Sequence, residues 1–356
     1  MRTELDINKL LYNVLKNGAS DLHLIAKSVP KVRIDGKLIG LKTDPLSGND
    51  IETLAYSLIN DKQKKAFEEY NELDFAITIP NVGRFRANYY RSLGSVACAF
   101  RIIKNEILSL DDIGAADIFK QLITHEKGLI LVTGPTGSGK TTTLTAMLHE
   151  INKTQNKHII TIEDPVEYIH TNNKCLFSQR NVGIDTQSFS RALKASMRED
   201  PDIILIGEMR DKETIEAALT AAETGHLVFG TLHTNSAPQT INRIIDTFGG
   251  QEQSQVRAQL STSIVAIVAQ SLLPKIGGGR VGVYETLIAN SAISNLIRED
   301  KVHQLYSQMQ LNQDETGMTT QTQELIKYLK EGIIEREDAI RYSNKKDELI
   351  RMIEAL

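Results

Sequence analysis

Eight consecutive residues, Gly134-Pro135-Thr136-Gly137-Ser138-Gly139-Lys140-Thr141, fit the pattern GxxxxGK[ST] in full. Each residue type answers a need of phosphate chemistry. The glycines let backbone N–H groups between Thr136 and Gly139 curl around the β- and γ-phosphates of a nucleotide at a helix N-terminus. Lys140 adds a mobile positive charge, and Thr141, with Thr142 behind it, offers a hydroxyl to Mg²⁺. The competing reading is a Gly-rich turn that matches by chance.

Hydrolysis needs acidic partners for the metal and for the attacking water. In DPDIILIGEMRD the apolar run Ile203-Ile204-Leu205-Ile206 leads through Gly207 to Glu208, a carboxylate at a strand tip, where parallel sheets bind ligands. In HIITIEDPVEYIH, Glu163 and Asp164 follow another apolar run, and Asp164-Pro165 makes a turn. Two carboxylates allow two tasks: Glu163 orients or deprotonates water while Glu208 organises Mg²⁺. Without the glycine loop, Glu208 would read as a surface glutamate after a core strand. His226 and His233 flank the run LVFGTL, and a histidine at a strand end can donate to a γ-phosphate or report its loss. Taken singly, either would be a structural histidine.

These groups need rigid carriers. LILVT before the loop suits a buried parallel strand, and TTTLTAMLHEINK after it repeats Leu144, Met147, Leu148 and Ile151 at helical spacing. Strand, glycine loop and helix thus come in the required order. Beyond about residue 105 strands alternate with helices, which predicts an α/β domain with a mostly parallel sheet. The first hundred residues mix the two differently. INKLLYNVLKNG predicts a helix ending on Gly18, Asp35-Gly36 between apolar residues is a hairpin signal, and DIETLAYSLINDKQKKAFEEY reads as one amphipathic helix. LDFAITIPNVGRFRANYYRSLGSVACAFRII alternates through strands, with turns at 81–83 and 92–94. The expected division is an α+β domain over 1–105, a linker over 106–115 and a P-loop domain over 116–356 with a helical C-terminal region. Arg84 and Arg86, two apart on a strand, point to one face, and paired guanidiniums suit phosphate oxygens. A solvated basic face is the alternative.

At 356 residues with 41% hydrophobic content, the chain can build two cores. A net charge of −4 gives no global positive field for nucleic acid or an anionic membrane. MRTELDINKL lacks the basic and apolar runs of a signal peptide, so a cytoplasmic protein is expected. The most apolar window, LSTSIVAIVAQSLLP over 260–274, falls short of a membrane span and reads as a buried helix. The two cysteines, Cys98 and Cys175, form no CxxC pair, which excludes a cysteine-rich zinc site and suggests packed thiols.

Four boxes in order, GPTGSGKTTT, TIEDPVEY, DIILIGEMRD and TGHLVFGTLHTNSA, resemble those of the secretion ATPases of type II secretion, type IV pili and conjugation. The likeness extends to GASDLHL, GRFRANYY, AFRII, EQSQVRAQLS and SLLPKIGGGRVGVYETLI. The resemblance implies a ring-shaped homohexamer whose protomers join a PAS-like N-terminal domain to a RecA-like ATPase domain, with ATP at their junction. It implies Glu163 as general base, Glu208 on Mg²⁺, and His226 and His233 as sensors of nucleotide state. It also implies phosphate-reaching arginines, matched here by Arg84, Arg86 and Arg101, with Arg91 a weaker match.

Extension and secretion ATPases of that family carry a large extra N-terminal domain and a four-cysteine zinc module, neither visible in this sequence, so the pilus-retraction branch is favoured. That branch carries a motif close to AIRNLIRE, and this chain reads AISNLIRE, with Ser294 in place of the arginine. The object pulled would be an inner-membrane platform protein of the pilus machine, and contact with it would make the ATPase peripheral at the cytoplasmic face. Pilus assembly or type II secretion remains an alternative. So does a DNA-translocating RecA-like ATPase, which the acidic balance and the absence of Trp disfavour, so no stable nucleic-acid binding is expected. A subunit that binds ATP without hydrolysing it is the third alternative.

Overall fold

The structure, a computed structural model, describes residues 6–34, 37–103, 106–115, 117–311 and 313–355. They form two compact units, one comprising the described residues up to Glu106 with Pro165–Ile169, the other Ile107–Asp164 with the chain from His170 onward.

The first unit contains α1 (Ile7–Lys16), β1 (Asp21–Leu24), β2 (Lys31–Ile34), β3 (Lys37–Gly40), α2 (Gly48–Tyr56), α3 (Asp61–Tyr70), β4 (Glu72–Ile79), β5 (Gly83–Ser92) and β6 (Ser95–Ile103). The strands form an antiparallel sheet in the order β3-β2-β1-β6-β5-β4. β2 and β3 pair as a hairpin, while its expected turn, Asp35-Gly36, lies outside the described residues. Phe85, Ala87 and Tyr89 of β5 share a core with Leu11 of α1, Ile51 of α2 and Phe67 of α3. Strand alternation therefore turns Arg84 and Arg86 to the other face. Tyr89 meets Phe67, Phe75 and Phe100 edge-on and donates its hydroxyl to the Ala55 carbonyl at 2.9 Å.

The helix expected over 50–70 is two helices. Asn60 ends the first run because its side chain accepts from the Gln63 N–H while the Gln63 side chain accepts from the Asn60 N–H, a reciprocal cap that starts α3 afresh.

The second unit contains α4 (Ile118–Leu122), β7 (Gly128–Thr133), α5 (Lys140–Thr154), β8 (His158–Glu163), β9 (Leu176–Asn181), α6 (Phe189–Ser196), β10 (Ile203–Ile206), α7 (Lys212–Glu223), β11 (Leu227–Leu232), α8 (Ala237–Asp246), α9 (Gln253–Ser263), β12 (Ile264–Pro274), β13 (Arg280–Ile288) and α10 (Ser291–Arg298). A 3-10 turn (Val302–Gln304) and five α-helices follow among the described residues: α11 (Leu305–Met309), α12 (Gln313–Thr316), α13 (Gln321–Lys330), α14 (Arg336–Tyr342) and α15 (Lys346–Glu354). The sheet order is β13-β12-β7-β11-β10-β8-β9, parallel throughout except for the β12–β13 hairpin.

Leu129 and Leu131 of β7 pack on α7, α8 and α9, whereas Ile130 and Val132 pack on Leu144, Met147 and Ile151 of α5. Both faces of the sheet are covered, as a parallel sheet requires, so its strands read as continuous apolar runs.

The same rule corrects the expected helix over 260–274. α9 stops at Ser263, and Ile264–Pro274 is a strand beside β7. The periodicity of a short apolar run does not by itself distinguish a buried strand from a buried helix. Here the β-branched Ile264, Val265, Ile267 and Val268 suit the pleated surface. Both cysteines are buried, as expected.

Candidate functional site

Gly134 closes β7 and Gly139 opens α5, each with a backbone that side chains resist. Gly134 has φ 146° and Gly139 φ 90°; a Cβ at the first would collide with the Gln270 carbonyl oxygen, and one at the second would stand 2.8 Å from Gln270 Nε2. Between them Thr136 and Gly137 are exposed and Ser138 is buried. Lys140 Nζ donates to the carbonyls of Gly134 at 2.8 Å and Pro135 at 3.1 Å, which holds the ammonium across the mouth of the loop. Ser138 Oγ is buried with no hydrogen-bond partner among the described residues. A crowded glycine turn, a bridging ammonium and an unsatisfied hydroxyl at the start of a 15-residue helix fit a phosphate chain.

The carboxylates arrive on neighbouring strands. β8 and β10 are in register with Ile162 opposite Ile206, so Glu163 at the end of β8 stands beside Gly207. A Cβ on Gly207 would be 3.2 Å from the Glu163 Cα. Glu163 is buried, and Thr161 donates to its Oε1 at 2.7 Å. Gly207 turns the chain out of β10, and the Met209 N–H bonds the Thr231 carbonyl at 3.0 Å, which fixes Glu208 between the ends of β8 and β11. Glu208 Oε1 takes a hydrogen bond from Arg210 Nε and lies 2.8 Å from His233 Nε2. These three side chains line a cleft of about 410 Å³ with Gln239, Asn242 and Arg243 of α8.

β11 also pairs with β7, Leu232 opposite Thr133, so His233 leaves the sheet beside the start of the glycine loop. Buried hydroxyls tie the two: Thr240 of α8 bonds Thr234 at 2.7 Å and reaches Thr133 at 3.4 Å. The structure thus gathers residues 134–142, Glu163, Glu208 and His233 along one edge of one sheet, an arrangement suited to binding a triphosphate and activating water beside it.

His226 does not join them. It precedes β11 at the opposite end of the sheet, where its Nδ1 is 3.0 Å from the Ala221 carbonyl oxygen and its own carbonyl accepts from the Gly128 N–H. The six-residue strand puts about 20 Å between the two histidines.

The arginines lie in the first unit. Arg86 of β5 is opposite Arg101 of β6, which is opposite Asp21 of β1, in turn opposite Arg33 of β2. They form one row across the face away from the helices. Arg86 Nε donates to Asp74 at 3.1 Å and Arg101 Nε to Asp21 at 2.9 Å. Burial acts to raise the Asp21 carboxyl pKa, but bonds from Ser20 and Arg101 outweigh it and hold the carboxyl below its usual value. Arg84 Nη2 donates to the Val166 carbonyl at 2.8 Å and Nη1 to Thr78 at 2.9 Å. Arg91, an odd number of residues away, is on the opposite face over the Phe67 ring.

A second cleft, of about 450 Å³, adjoins the loop and was not legible in the sequence. Gly139, Thr142 and Thr143 form one side, residues 108–114 a second, and the β12–β13 hairpin, with Gln270, Lys275, Arg280 and Tyr284, the third. Thr143 Oγ1 donates to Gln270 Oε1 at 2.8 Å, and the Tyr284 hydroxyl donates to the Ile113 carbonyl at 3.2 Å. Burial pushes the Tyr284 phenol up to about 12. The signal available was Gln270, a lone amide in an apolar run.

Comparison with known proteins places this geometry. The family model for "Type II/IV secretion system protein" matches residues 2–278. The chain is 50% identical over 335 residues to the type IV pilus retraction ATPase PilT of Pseudomonas aeruginosa, covering 94% of this chain and 97% of that one. It is 45% identical to a twitching motility protein of Neisseria gonorrhoeae, covering 91% and 87%. A crystal structure of the pilus retraction motor PilT with bound ADP superposes with a TM-score of 0.92 at 50% identity, covering 98% of this chain and 100% of that one. The glycine loop, the two strand-end carboxylates and these matches together make the chain a member of the type II/IV secretion system protein family and one of its ATPases.

Proposed function

We propose that this ATPase powers retraction of a type IV pilus. The reading is carried by the convergence of the glycine loop, Glu163, Glu208 and His233 at one sheet edge, in a chain half identical over nearly its whole length to a pilus retraction ATPase.

ATP is the substrate, its β- and γ-phosphates cradled by the N–H groups of residues 136–142. Lys140 leaves the carbonyls of Gly134 and Pro135 for the phosphate oxygens. Glu163, oriented by Thr161, takes the proton of the attacking water. Thr141 and Glu208 are the residues that would hold Mg²⁺, which supplies neutralisation of charge on the phosphates. His233 holds the Glu208 carboxylate and senses the terminal phosphate through it.

The working assembly is a homohexamer. The domains divide at 106–115, and in the ring Arg84, Arg86 and Arg101 exchange their present partners for phosphate oxygens, with Arg91 not among them. ATP then favours a closed arrangement of the domains and phosphate release an open one. A difference in affinity for ATP and ADP between the two arrangements drives the cycle. Force passes to an inner-membrane platform protein, so the ATPase works at the cytoplasmic face of that membrane. Among the described residues no helix is long and apolar enough to cross a membrane.

Deleting the gene and imaging pili tests the proposal. Long, static pili and lost surface movement are the expected result. Absent pili would overturn it in favour of assembly.

A further inference from the structure

Gln270 is an amide almost wholly removed from solvent, 4% exposed, in the middle of a strand whose one other polar residue is Ser271. Burying a carboxamide is unfavourable unless it is hydrogen-bonded, so its position calls for a reason. Three contacts supply one. The Gln270 carbonyl oxygen fills the space a side chain at Gly134 would take, at the entrance to the glycine loop. Its Oε1 accepts from Thr143 Oγ1 at 2.8 Å, in the first turn of α5. Its Nε2 lies against Gly139, at the exit of the loop. One residue therefore touches the loop where the chain enters it, where it leaves, and in the helix that follows.

We infer that Gln270 is a positioning residue for the phosphate loop: its backbone and carboxamide fix the span from Gly134 to Thr143, and its Nε2 keeps an N–H donor at the border between the loop and the neighbouring cleft. That cleft has Gly139 and Thr142 on one wall, Gln270 with the cationic Lys275 and Arg280 on another, and Asp111 and Asp112 on the third. An amide serves here where a carboxylate would not. With Oε1 held by Thr143, the atom turned to the phosphate side is a donor, whereas an acid would put a second negative oxygen beside the site of an anion. The inference rests on the reading that residues 134–142 hold the phosphates.

Gln270→Glu separates the two ends of the side chain, because it keeps the acceptor for Thr143 and changes only the group facing Gly139. The purified full-length chain is titrated with ADP, and its thermal midpoint without nucleotide is measured as a check on folding. The variant buries an ionisable carboxyl, so its midpoint is expected to fall, and it is titrated only if it still gives a cooperative thermal transition. It is expected to bind ADP about ten-fold or more weakly, with the loss in turnover falling on KM for ATP rather than on kcat. Gln270→Met, which matches the volume and removes both polar ends, is expected to weaken ADP about three- to ten-fold and carries the test if the glutamate variant does not fold. A folded Gln270→Glu chain, or failing that a folded Gln270→Met chain, that binds ADP as wild type does overturns the inference alone. Failure of the wild-type chain itself to bind ADP overturns the phosphate-loop reading and this one with it.

Discussion

Nε2 of His233 lies 2.8 Å from Oε1 of Glu208, an oxygen that also takes a bond from Arg210. The link joins the ends of β11 and β10, so a change at the Glu208 carboxylate bears on the strand next to the glycine loop. Glu208→Gln is expected to lower kcat on the order of 10²–10³-fold. ADP affinity should stay within about three-fold, since the loop itself is intact. Phosphate release and ADP titration check both, and turnover equal to wild type would remove Glu208 from the mechanism.

Glu163 is buried with Thr161 donating to it, the setting of an oriented base. Glu163→Gln should reduce kcat roughly 10²–10⁴-fold while KM for ATP changes little, because water activation is lost and substrate binding is not. Steady-state kinetics beside Lys140→Ala, which should instead abolish binding, separates the two roles.

His170 is buried, stacked on Phe177 at 4.4 Å, and its Nδ1 has no partner among the described residues. Burial, helped by His149, pushes its pKa down to about 4. The unfolded chain protonates this ring near pH 6.5 and the folded chain only near 4, so stability falls as pH drops through that window. The contribution lost is on the order of 3 kcal/mol. Thermal midpoints between pH 7 and 4.5 should therefore decline less steeply in His170→Phe than in wild type.

Glu285 lies buried on β13, accepting from the N–H of Ala237 at 2.8 Å and that of Gln321 at 3.4 Å, the first residues of α8 and α13. Burial raises its carboxyl pKa against those two bonds and the Lys345 charge. Glu285→Ala orphans both helix starts, at a cost of about 1–3 kcal/mol for each group. A lowered thermal midpoint is expected, and an unchanged one would mean that the helix ends find other acceptors.

Local chemistry explains what could be read in advance. The glycine loop, its strand and its helix are contiguous, and Glu163 and Glu208 each directly end an apolar run, so their place at a sheet edge follows from short stretches. The faces of β5 were equally plain from alternation. What escaped depends on partners distant in the chain. The run 264–274 is a strand because β7 and β13 flank it, and reading it as a buried helix gave Gln270 no neighbours at the glycine loop. The pair His226 and His233 looked like one feature because they bracket one strand, although that same strand holds them apart. The break at Asn60 was readable from Asn60 and Gln63 and was overridden by the apolar spacing on either side.

The neighbours of β7 in the sheet are β11 and β12, made roughly 100 and 130 residues after it. During synthesis the glycine loop therefore leaves the ribosome on a strand with neither edge covered, and Gln270 is among the last pieces to reach it. Both sides of β7 find their partner strands only once about three quarters of the chain has been translated, and until then its apolar edges are exposed to the aggregation that threatens unpaired strands.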